Sequence, residues 1–164
     1  MMNKPLLMSA LLFVAAGCAG SSGGGKNSSE ALAEATLNAL IKGDSDEIGA
    51  LFPTENVINE LFDCENQDTL KEMYENLNEG KEKALKEAKK GLPEGMTVKY
   101  TGFETSNTET MPAGTEDDGC KLKTDISMIR GKVSFEVTMG DKIEKETERI
   151  ETVKIGEKYY LVEM

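Results

Sequence analysis

The 164-residue sequence contains no histidine and no tryptophan, and aromatic residues make up only 5% of it. Without histidine, the chain cannot build Ser-His-Asp or Cys-His catalytic groups, and it lacks the commonest ligand of zinc and iron sites. Positive charge is also scarce, since 19 Lys and Arg residues face 30 Asp and Glu residues, for a net charge of −11. Such an acidic surface repels phosphate backbones, so we expect no nucleic-acid partner.

The first residues have the pattern of an export signal. Lys4 supplies a positive charge, and an apolar run from Pro5 to Ala16 follows it, interrupted only by Ser9. As a helix, this run would span about 18 Å, which is too short for the roughly 30 Å hydrocarbon core of a bilayer. The pattern therefore predicts a signal peptide over residues 1–17. A buried helix of the mature fold is the alternative, which the Gly/Ser-rich tract that follows makes less favourable.

The residues after the apolar run, Ala15-Ala16-Gly17-Cys18, resemble the lipobox of bacterial lipoproteins. Small side chains before the cysteine suit a leader peptidase, and the thiol is the group that becomes acylated in that family. Ala15 stands where the family more often has leucine. The resemblance implies lipidation at Cys18, cleavage before it, and attachment to a membrane through acyl chains, since two chains anchor a protein stably. Simple secretion with Cys18 unmodified is the alternative.

A Gly/Ser-rich segment separates this cysteine from the rest of the chain. Residues 18–29 are small and polar, which is typical of a flexible tether. Loss of the leader removes Lys4 and changes the net charge from −11 to −12. Because an anionic bilayer repels such a domain, attachment depends on the lipid. We therefore expect a cell-envelope location, with the outer membrane, facing the periplasm or the cell surface, favoured in a Gram-negative organism.

Two cysteines remain in the mature chain, Cys64 and Cys120. In an oxidising export compartment two such cysteines usually pair, so we expect a disulfide between them. Metal binding is the alternative, but two cysteines without histidine cannot fill a tetrahedral site.

Helical patterns occupy the first half of the predicted domain, residues 30–164. A first helix ends at Gly43, and a second begins at the Asp44/Glu47 capping pair and ends before Pro53. Thr54 is expected to cap a short third helix. The Thr69-x-x-Glu72 capping box predicts the start of a long fourth helix that ends near Gly91.

Two-residue alternation replaces the helical pattern from Met96 onward. We expect a strand with a bulge near Gly102, a polar loop over residues 106–119, and a strand over residues 120–128. A turn at Arg130-Gly131 then leads to a strand that ends at Met139. Further turns at Gly140-Asp141 and Gly156-Glu157 flank a long charged strand, Lys142 to Ile155, and precede a final strand. The expected inward-facing residues are apolar: Val98, Leu122, Ile126, Val133, Phe135 and Val137.

This order of elements, an Ala-rich first helix that ends in Gly43-Asp44, and the closing hairpin around Gly156-Glu157 resemble bacterial lipoproteins with an NTF2-like, cystatin-like cone domain. Tyr159 or Tyr160 stands where that family usually has tryptophan. The resemblance implies an α+β fold in which N-terminal helices pack on one face of a curved antiparallel sheet of about five strands.

The acidic segment Thr115 to Gly119 is the clearest candidate for binding a cation. Aligned on Gly119 as the sixth position of a calcium loop, it has Gly114 where the first acidic ligand is required, so we interpret it as a solvated hairpin loop. Tyrosines and carboxylates are present, but their spacing matches no catalytic motif.

We therefore expect a non-enzymatic, membrane-anchored binding or interaction domain, with no catalytic residue, metal or cofactor. Its protein or small-molecule partner and its oligomeric state are not predicted by the sequence. The alternative is a small-molecule enzyme that uses a cone cavity with tyrosine and carboxylate groups.

Overall fold

The computed structural model describes residues 24–164, which form an α+β fold. Its helices are α1 (Ser29–Lys42), α2 (Ser45–Leu51), α3 (Glu55–Leu61) and α4 (Gln67–Lys90). Its strands are β1 (Phe62–Cys64), β2 (Met96–Met111), β3 (Glu116–Asp117), β4 (Cys120–Leu122), β5 (Ile126–Met139), β6 (Lys142–Ile155) and β7 (Lys158–Glu163). Cys18 and the predicted leader lie outside the described residues.

Local capping determines where the first three helices begin. The Ser28 side chain accepts a hydrogen bond from the backbone N–H of Ala31, and Asp44 accepts one from that of Glu47, at 2.9 Å. Thr54 accepts one from Val57 at 3.4 Å. These bonds satisfy N–H groups that have no partner within the helix, and the predicted caps at Asp44 and Thr54 are confirmed.

The predicted start of the fourth helix is wrong by three residues. Asn66, not Thr69, is the N-cap of α4, and its side-chain oxygen accepts a hydrogen bond from the backbone N–H of Asp68 at 2.9 Å. Asn66 is as good a cap as a threonine, and starting the helix there adds a further turn.

Residues 24–164 contain two antiparallel sheets, and the prediction of one sheet with about five strands is not confirmed. The larger sheet has the order β2-β5-β6-β7, and the smaller has the order β1-β4-β3. Residues 120–128 do not form one strand, because β4 belongs to the smaller sheet and β5 to the larger. Alternation continues through this segment in the sequence, but it carries no information about which sheet each part joins.

Strand β5 is continuous, so the predicted turn at Arg130-Gly131 is wrong. Gly131 pairs with Thr105 on one side and with Ile150 on the other. A Cβ atom on Gly131 would collide with the Phe103 ring and lie 2.8 Å from the carbonyl oxygen of Glu104. The glycine permits a close approach between neighbouring strands and does not reverse the chain.

The long polar loop predicted over residues 106–119 is also wrong for its first part, since β2 extends to Met111 and pairs with β5 over its whole length. Its side chains from Glu104 to Thr110 are exposed, which hides the strand from any search for apolar alternation. The ladder of backbone hydrogen bonds to β5 supplies the stabilisation that burial does not.

The remaining turns agree with the sequence analysis. Turns at Gly140-Asp141 and Gly156-Glu157 connect β5 to β6 and β6 to β7. A shift in the β2–β5 register between Tyr100 and Gly102 confirms the expected bulge. The first eight residues of β6 are exposed, and pairing with β7 begins only at Glu151, so this charged half of β6 is a sheet edge.

Apolar side chains on the larger sheet form two clusters on its opposite faces. Val133 and Ile150 pack with the helices in the first core, whereas Ile126 and Val153 belong to the second core. Ile126 and Val133 are an odd number of positions apart on β5, and so are Ile150 and Val153 on β6. The register between the two strands has no shift that would change this alternation. Since successive side chains in a strand alternate between faces, the two cores lie on opposite faces.

The first core joins α1, α2 and α4 to one face of the sheet. Its buried members are Leu32, Ala33, Ala39, Ile48, Leu51, Phe52, Ala84, Ala88, Val133, Ile150 and Leu161. The second core is smaller and consists of Leu61, Leu122, Ile126, Val153 and Tyr160. The expected inward-facing residues are therefore divided between two faces. Val133 and Phe135 contact the first core, whereas Leu122 and Ile126 belong to the second.

Candidate functional site

A disulfide between Cys64 and Cys120 links β1 to β4, as predicted from the cysteine count. The two residues are direct partners in the β1–β4 register, with their Cα atoms 4.0 Å apart. The backbone N–H of Glu65 donates to the carbonyl oxygen of Gly119 next to them, so the cysteines occupy a non-hydrogen-bonded position of the ladder. Side chains at such positions approach each other most closely, which suits a cross-strand disulfide.

An apolar cavity of about 290 Å³ lies beside this disulfide, between the smaller sheet, the second-core face of the larger sheet, and helices α3 and α4. This volume is close to the lower limit for pockets that hold small molecules. The side chains that line the apolar cavity are Pro53, Ile58, Leu61, Phe62, Met73, Leu77, Met111, Thr115, Asp117, Cys120, Leu122, Ile126, Met128, Val153, Ile155 and Val162.

Several apolar side chains that line the cavity are only half-buried, both on α4 and on the larger sheet. Met73 and Leu77 on α4 are partly exposed, as are Met128 and Val162 on the larger sheet. Leu122, in contrast, is buried on the smaller sheet. Partly exposed apolar side chains around a recess leave it accessible from solvent, so a ligand could enter without any change in the fold.

Among the described residues that line the apolar cavity, no set of catalytic groups converges. Asp117 is the one titratable side chain among the described residues that line it, and Thr115 is the one hydroxyl. The tyrosine and carboxylate arrangement required by the enzymatic alternative is therefore not formed by these lining residues.

Tyr100 is the tyrosine whose environment comes nearest to that arrangement, but it lies under α1 in the first core. Its hydroxyl is buried and has no hydrogen-bond partner among the described residues. Burial raises the pKa of the Tyr100 hydroxyl, and the negative charges of Glu30 and Glu34 raise it further. Both glutamates are exposed, so they do not form a buried acid–base pair with Tyr100.

An acidic groove of about 430 Å³ adjoins the apolar cavity, and both are lined by Asp117 and Cys120. The other residues that line the acidic groove are Asp63, Cys64, Glu65, Glu116, Asp118, Gly119 and Lys121. Asp118 and Gly119 form the two-residue turn between β3 and β4, with φ values of 47° and 76°. Positive φ at both central residues is the geometry of a tight hairpin, so the expected hairpin loop is confirmed.

Over residues 24–164, no group of three His, Cys, Asp or Glu side chains could hold a metal ion. No helix within the described part of the chain is long and apolar enough to cross a membrane.

The last part of the predicted tether is docked on the domain. The backbone N–H of Lys26 donates to the carbonyl oxygen of Tyr159 at 2.9 Å, and the N–H of Tyr159 donates back at 2.8 Å. The Lys158 ammonium donates to the Asn27 side chain at 2.7 Å. A Cβ on Gly25 would lie 2.8 Å from the Tyr159 oxygen, so this glycine serves close packing. Flexibility predicted from composition therefore does not extend over the whole of residues 18–29.

Sequence reasoning missed the contribution of residues 111–117 to the cavity wall. Met111, Thr115 and Asp117 were assigned to a solvated loop, yet each lines the apolar cavity. The apolar Met111-Pro112 pair within a polar segment was the one signal that could have indicated burial. The chain matches no family model, no curated protein and no solved structure, so the site is interpreted from its geometry alone.

Proposed function

We propose that this chain is a membrane-anchored lipoprotein, acylated at Cys18, whose domain binds a small apolar ligand in the apolar cavity without transforming it. The observation that carries the binding role is the cavity's lining, which is apolar except for Thr115 and Asp117. Recesses of this kind, with few polar groups, are the usual form of a small-molecule site.

A non-catalytic role is favoured because general acid–base chemistry requires at least one positioned group with a matched partner. Asp117 is exposed and belongs to the rim that the cavity shares with the acidic groove. A carboxylate in that position can orient a ligand, but the lining supplies no second titratable group to complete a catalytic pair.

The expected affinity follows from the size of the cavity. Each methylene removed from water contributes about 0.8 kcal/mol, so a ligand that buries eight of them gains about 6 kcal/mol before the cost of association. A gain of about 6 kcal/mol corresponds to a Kd of about 40 μM before that cost, so we expect a compact apolar ligand to bind in about the millimolar range, as in a carrier or sensor that releases its ligand readily.

The docked segment supports a position of the domain near the membrane. Six peptide units separate Cys18 from Gly24, and they reach at most about 21 Å when extended. An acylated Cys18 would therefore hold the domain within roughly one domain radius of the bilayer. Location in the cell envelope follows, with the outer membrane favoured in a Gram-negative organism.

The resemblance to NTF2-like lipoproteins remains part of this proposal. The order of helices followed by long antiparallel hairpins supports it. The smaller sheet and the second core are additions that the resemblance did not imply.

Ligand binding is tested with a neutral naphthylamine dye whose fluorescence rises in apolar surroundings. Val162→Phe places a bulkier side chain in the cavity, and Val137→Phe is a matched control on the larger sheet, at a half-buried residue that does not line the cavity. We expect dye affinity to fall about tenfold in Val162→Phe, through loss of about 1.4 kcal/mol of burial, and to stay unchanged in the control.

Circular dichroism and thermal unfolding establish that both variants fold. Ile155→Phe, which alters a second lining residue, provides an independent test if Val162→Phe does not fold. Equal dye affinity in the unaltered chain and in folded cavity variants would contradict the binding proposal.

Anchoring is tested by mass spectrometry of the mature N-terminus. We expect an acylated cysteine as its first residue, and a Cys18→Ser variant that partitions into the aqueous phase of a detergent extraction. An unmodified Cys18, or cleavage elsewhere, would refute the anchor.

A further inference from the structure

We infer that the ligand of the apolar cavity is an amphiphile with one apolar chain and a positively charged head, and that the acidic groove holds the head. This inference rests on the proposed function and names the chemical class of its ligand. The cavity and the groove adjoin at Asp117 and Cys120, which line both, and the inferred ligand spans this boundary.

Charge in the acidic groove is strongly one-sided. Five carboxylates line it, from Asp63, Glu65, Glu116, Asp117 and Asp118, against the single ammonium of Lys121. That ammonium lies 3.7 Å from the Glu116 carboxylate. Within residues 24–164, the other four carboxylates have no Lys or Arg nitrogen within 4.0 Å.

The fold holds these carboxylates together against their mutual repulsion. Glu116, Asp117 and Asp118 lie on the β3–β4 hairpin, whereas Asp63 lies on β1 and Glu65 directly follows it. The disulfide and the β1–β4 ladder fix the two segments side by side. A cation at this position relieves the repulsion, and an anion increases it, so the head group is discriminated by its charge.

The apolar part of the ligand is limited by the cavity. A volume of about 290 Å³ accommodates a compact chain better than a pair of long acyl chains. A single-chain amine without a phosphate, such as an alkylammonium, has both required parts. A fatty acid has the apolar part but carries the wrong charge.

The experiment compares three ligands that share a decyl chain: decyltrimethylammonium, decanol and decyl sulfate. Each displaces the naphthylamine dye from the Cys18→Ser chain, below its micellar concentration and in low salt. We expect the ammonium to bind about tenfold more tightly than the sulfate, with decanol between them, and the difference to shrink in half-molar salt as screening increases.

Two triple variants test where the discrimination arises. Glu116→Gln/Asp117→Asn/Asp118→Asn removes three of the five carboxylates that line the groove, and Asp141→Asn/Glu144→Gln/Glu146→Gln removes the same charge from the exposed β5–β6 hairpin. We expect the preference for the ammonium to fall strongly in the groove variant and to persist in the hairpin variant. Asparagine tolerates the positive φ of residue 118, so the turn should be retained.

The outcomes separate this inference from the proposed function. Equal binding of all three decyl ligands, with displacement still sensitive to Val162→Phe, would leave the cavity as a binding site but overturn the assignment of a cationic head. Equal loss of preference in both triple variants would attribute the discrimination to net charge and would also overturn it. Failure of all three ligands to displace a dye whose binding depends on Val162 would overturn the amphiphile assignment. Dye affinity that Val162→Phe leaves unchanged would overturn the proposed function itself.

Discussion

Reducing the Cys64–Cys120 disulfide should lower the free energy of unfolding by about 4 kcal/mol, because the bond closes a loop with a sequence separation of 56 residues. The loss arises in the unfolded chain, which gains conformational freedom when the loop is opened. This loss is a large share of the free energy of unfolding of a typical domain, which is roughly 5–15 kcal/mol. With a urea dependence of about 2 kcal/mol per molar, the unfolding midpoint should fall by about 2 M.

The assay is urea unfolding followed by far-UV circular dichroism, with and without a phosphine reductant. A Cys64→Ala/Cys120→Ala variant should unfold at the midpoint of the reduced chain and should not respond to reductant. Alanine is preferred to serine at position 120, because Cys120 is 2% exposed and a buried hydroxyl would add its own cost. Reduction should also weaken dye binding, since Cys120 lines the apolar cavity.

A loss below about 1 kcal/mol on reduction would refute this reasoning, because it would mean that the cross-link restricts the unfolded chain very little. A midpoint in the double variant far below that of the reduced chain would assign the excess to the cavity left by the lost sulfur atoms.

Three further changes have defined outcomes. Gly131→Ala should cost about 1–3 kcal/mol in urea unfolding because its Cβ would overlap the Phe103 ring, whereas Gly102→Ala, which meets no atom within 4 Å, should cost less. Raising the pH above about 10 should reduce the free energy of unfolding, because the pKa of Tyr100 is raised in the folded chain and the tyrosine therefore loses its proton first in the unfolded chain. Tyr100→Phe should diminish this loss of stability, which urea midpoints at pH 8 and pH 11 would measure. Lys26→Pro removes the N–H that donates to Tyr159 and should expose residues 24–28 to proteolysis, with no more than a small change in the unfolding midpoint.

Features decided by a few neighbouring residues were predicted correctly. The caps at Asp44 and Thr54 and the end of α1 at Gly43 depend on bonds within one helical turn. The turns at Gly140 and Gly156 depend on backbone conformations that glycine adopts readily. Such signals are complete within a short window of sequence, so the rest of the fold does not alter them.

Glycine was misread where its role depends on a distant neighbour. Gly131 was interpreted as a turn, but it allows close contact with Phe103 on the neighbouring strand. Gly25 was interpreted as part of a flexible tether, but it allows close contact with Tyr159 near the end of the chain. The absence of a side chain serves a turn, a flexible linker or a close approach equally well, and composition cannot distinguish them.

The candidate site was predicted only in part. The disulfide followed from counting cysteines under the expectation of export, and the acidic hairpin loop was recognised as such. The apolar cavity was not predicted, because alternation shows that the two faces of a strand differ without showing what covers each face. Ile126 and Val133 are both apolar positions of β5, yet they belong to opposite faces and to different cores.

The sequence by itself determined the helix boundaries at Gly43, Asp44 and Thr54, the turns at Gly140 and Gly156, the acidic charge and the expectation of an export leader with a lipid-modified cysteine, because these depend on local chemistry and composition. Only the tertiary structure decided that β5 runs unbroken through Gly131, that a second sheet covers the far face of the larger one, and that an acidic hairpin lies beside an apolar cavity. These features depend on contacts between residues such as Cys64 and Cys120, which are brought together when the chain folds. Residue patterns indicate the local conformations that each segment favours, whereas the contacts between segments in the folded chain decide which of those conformations forms.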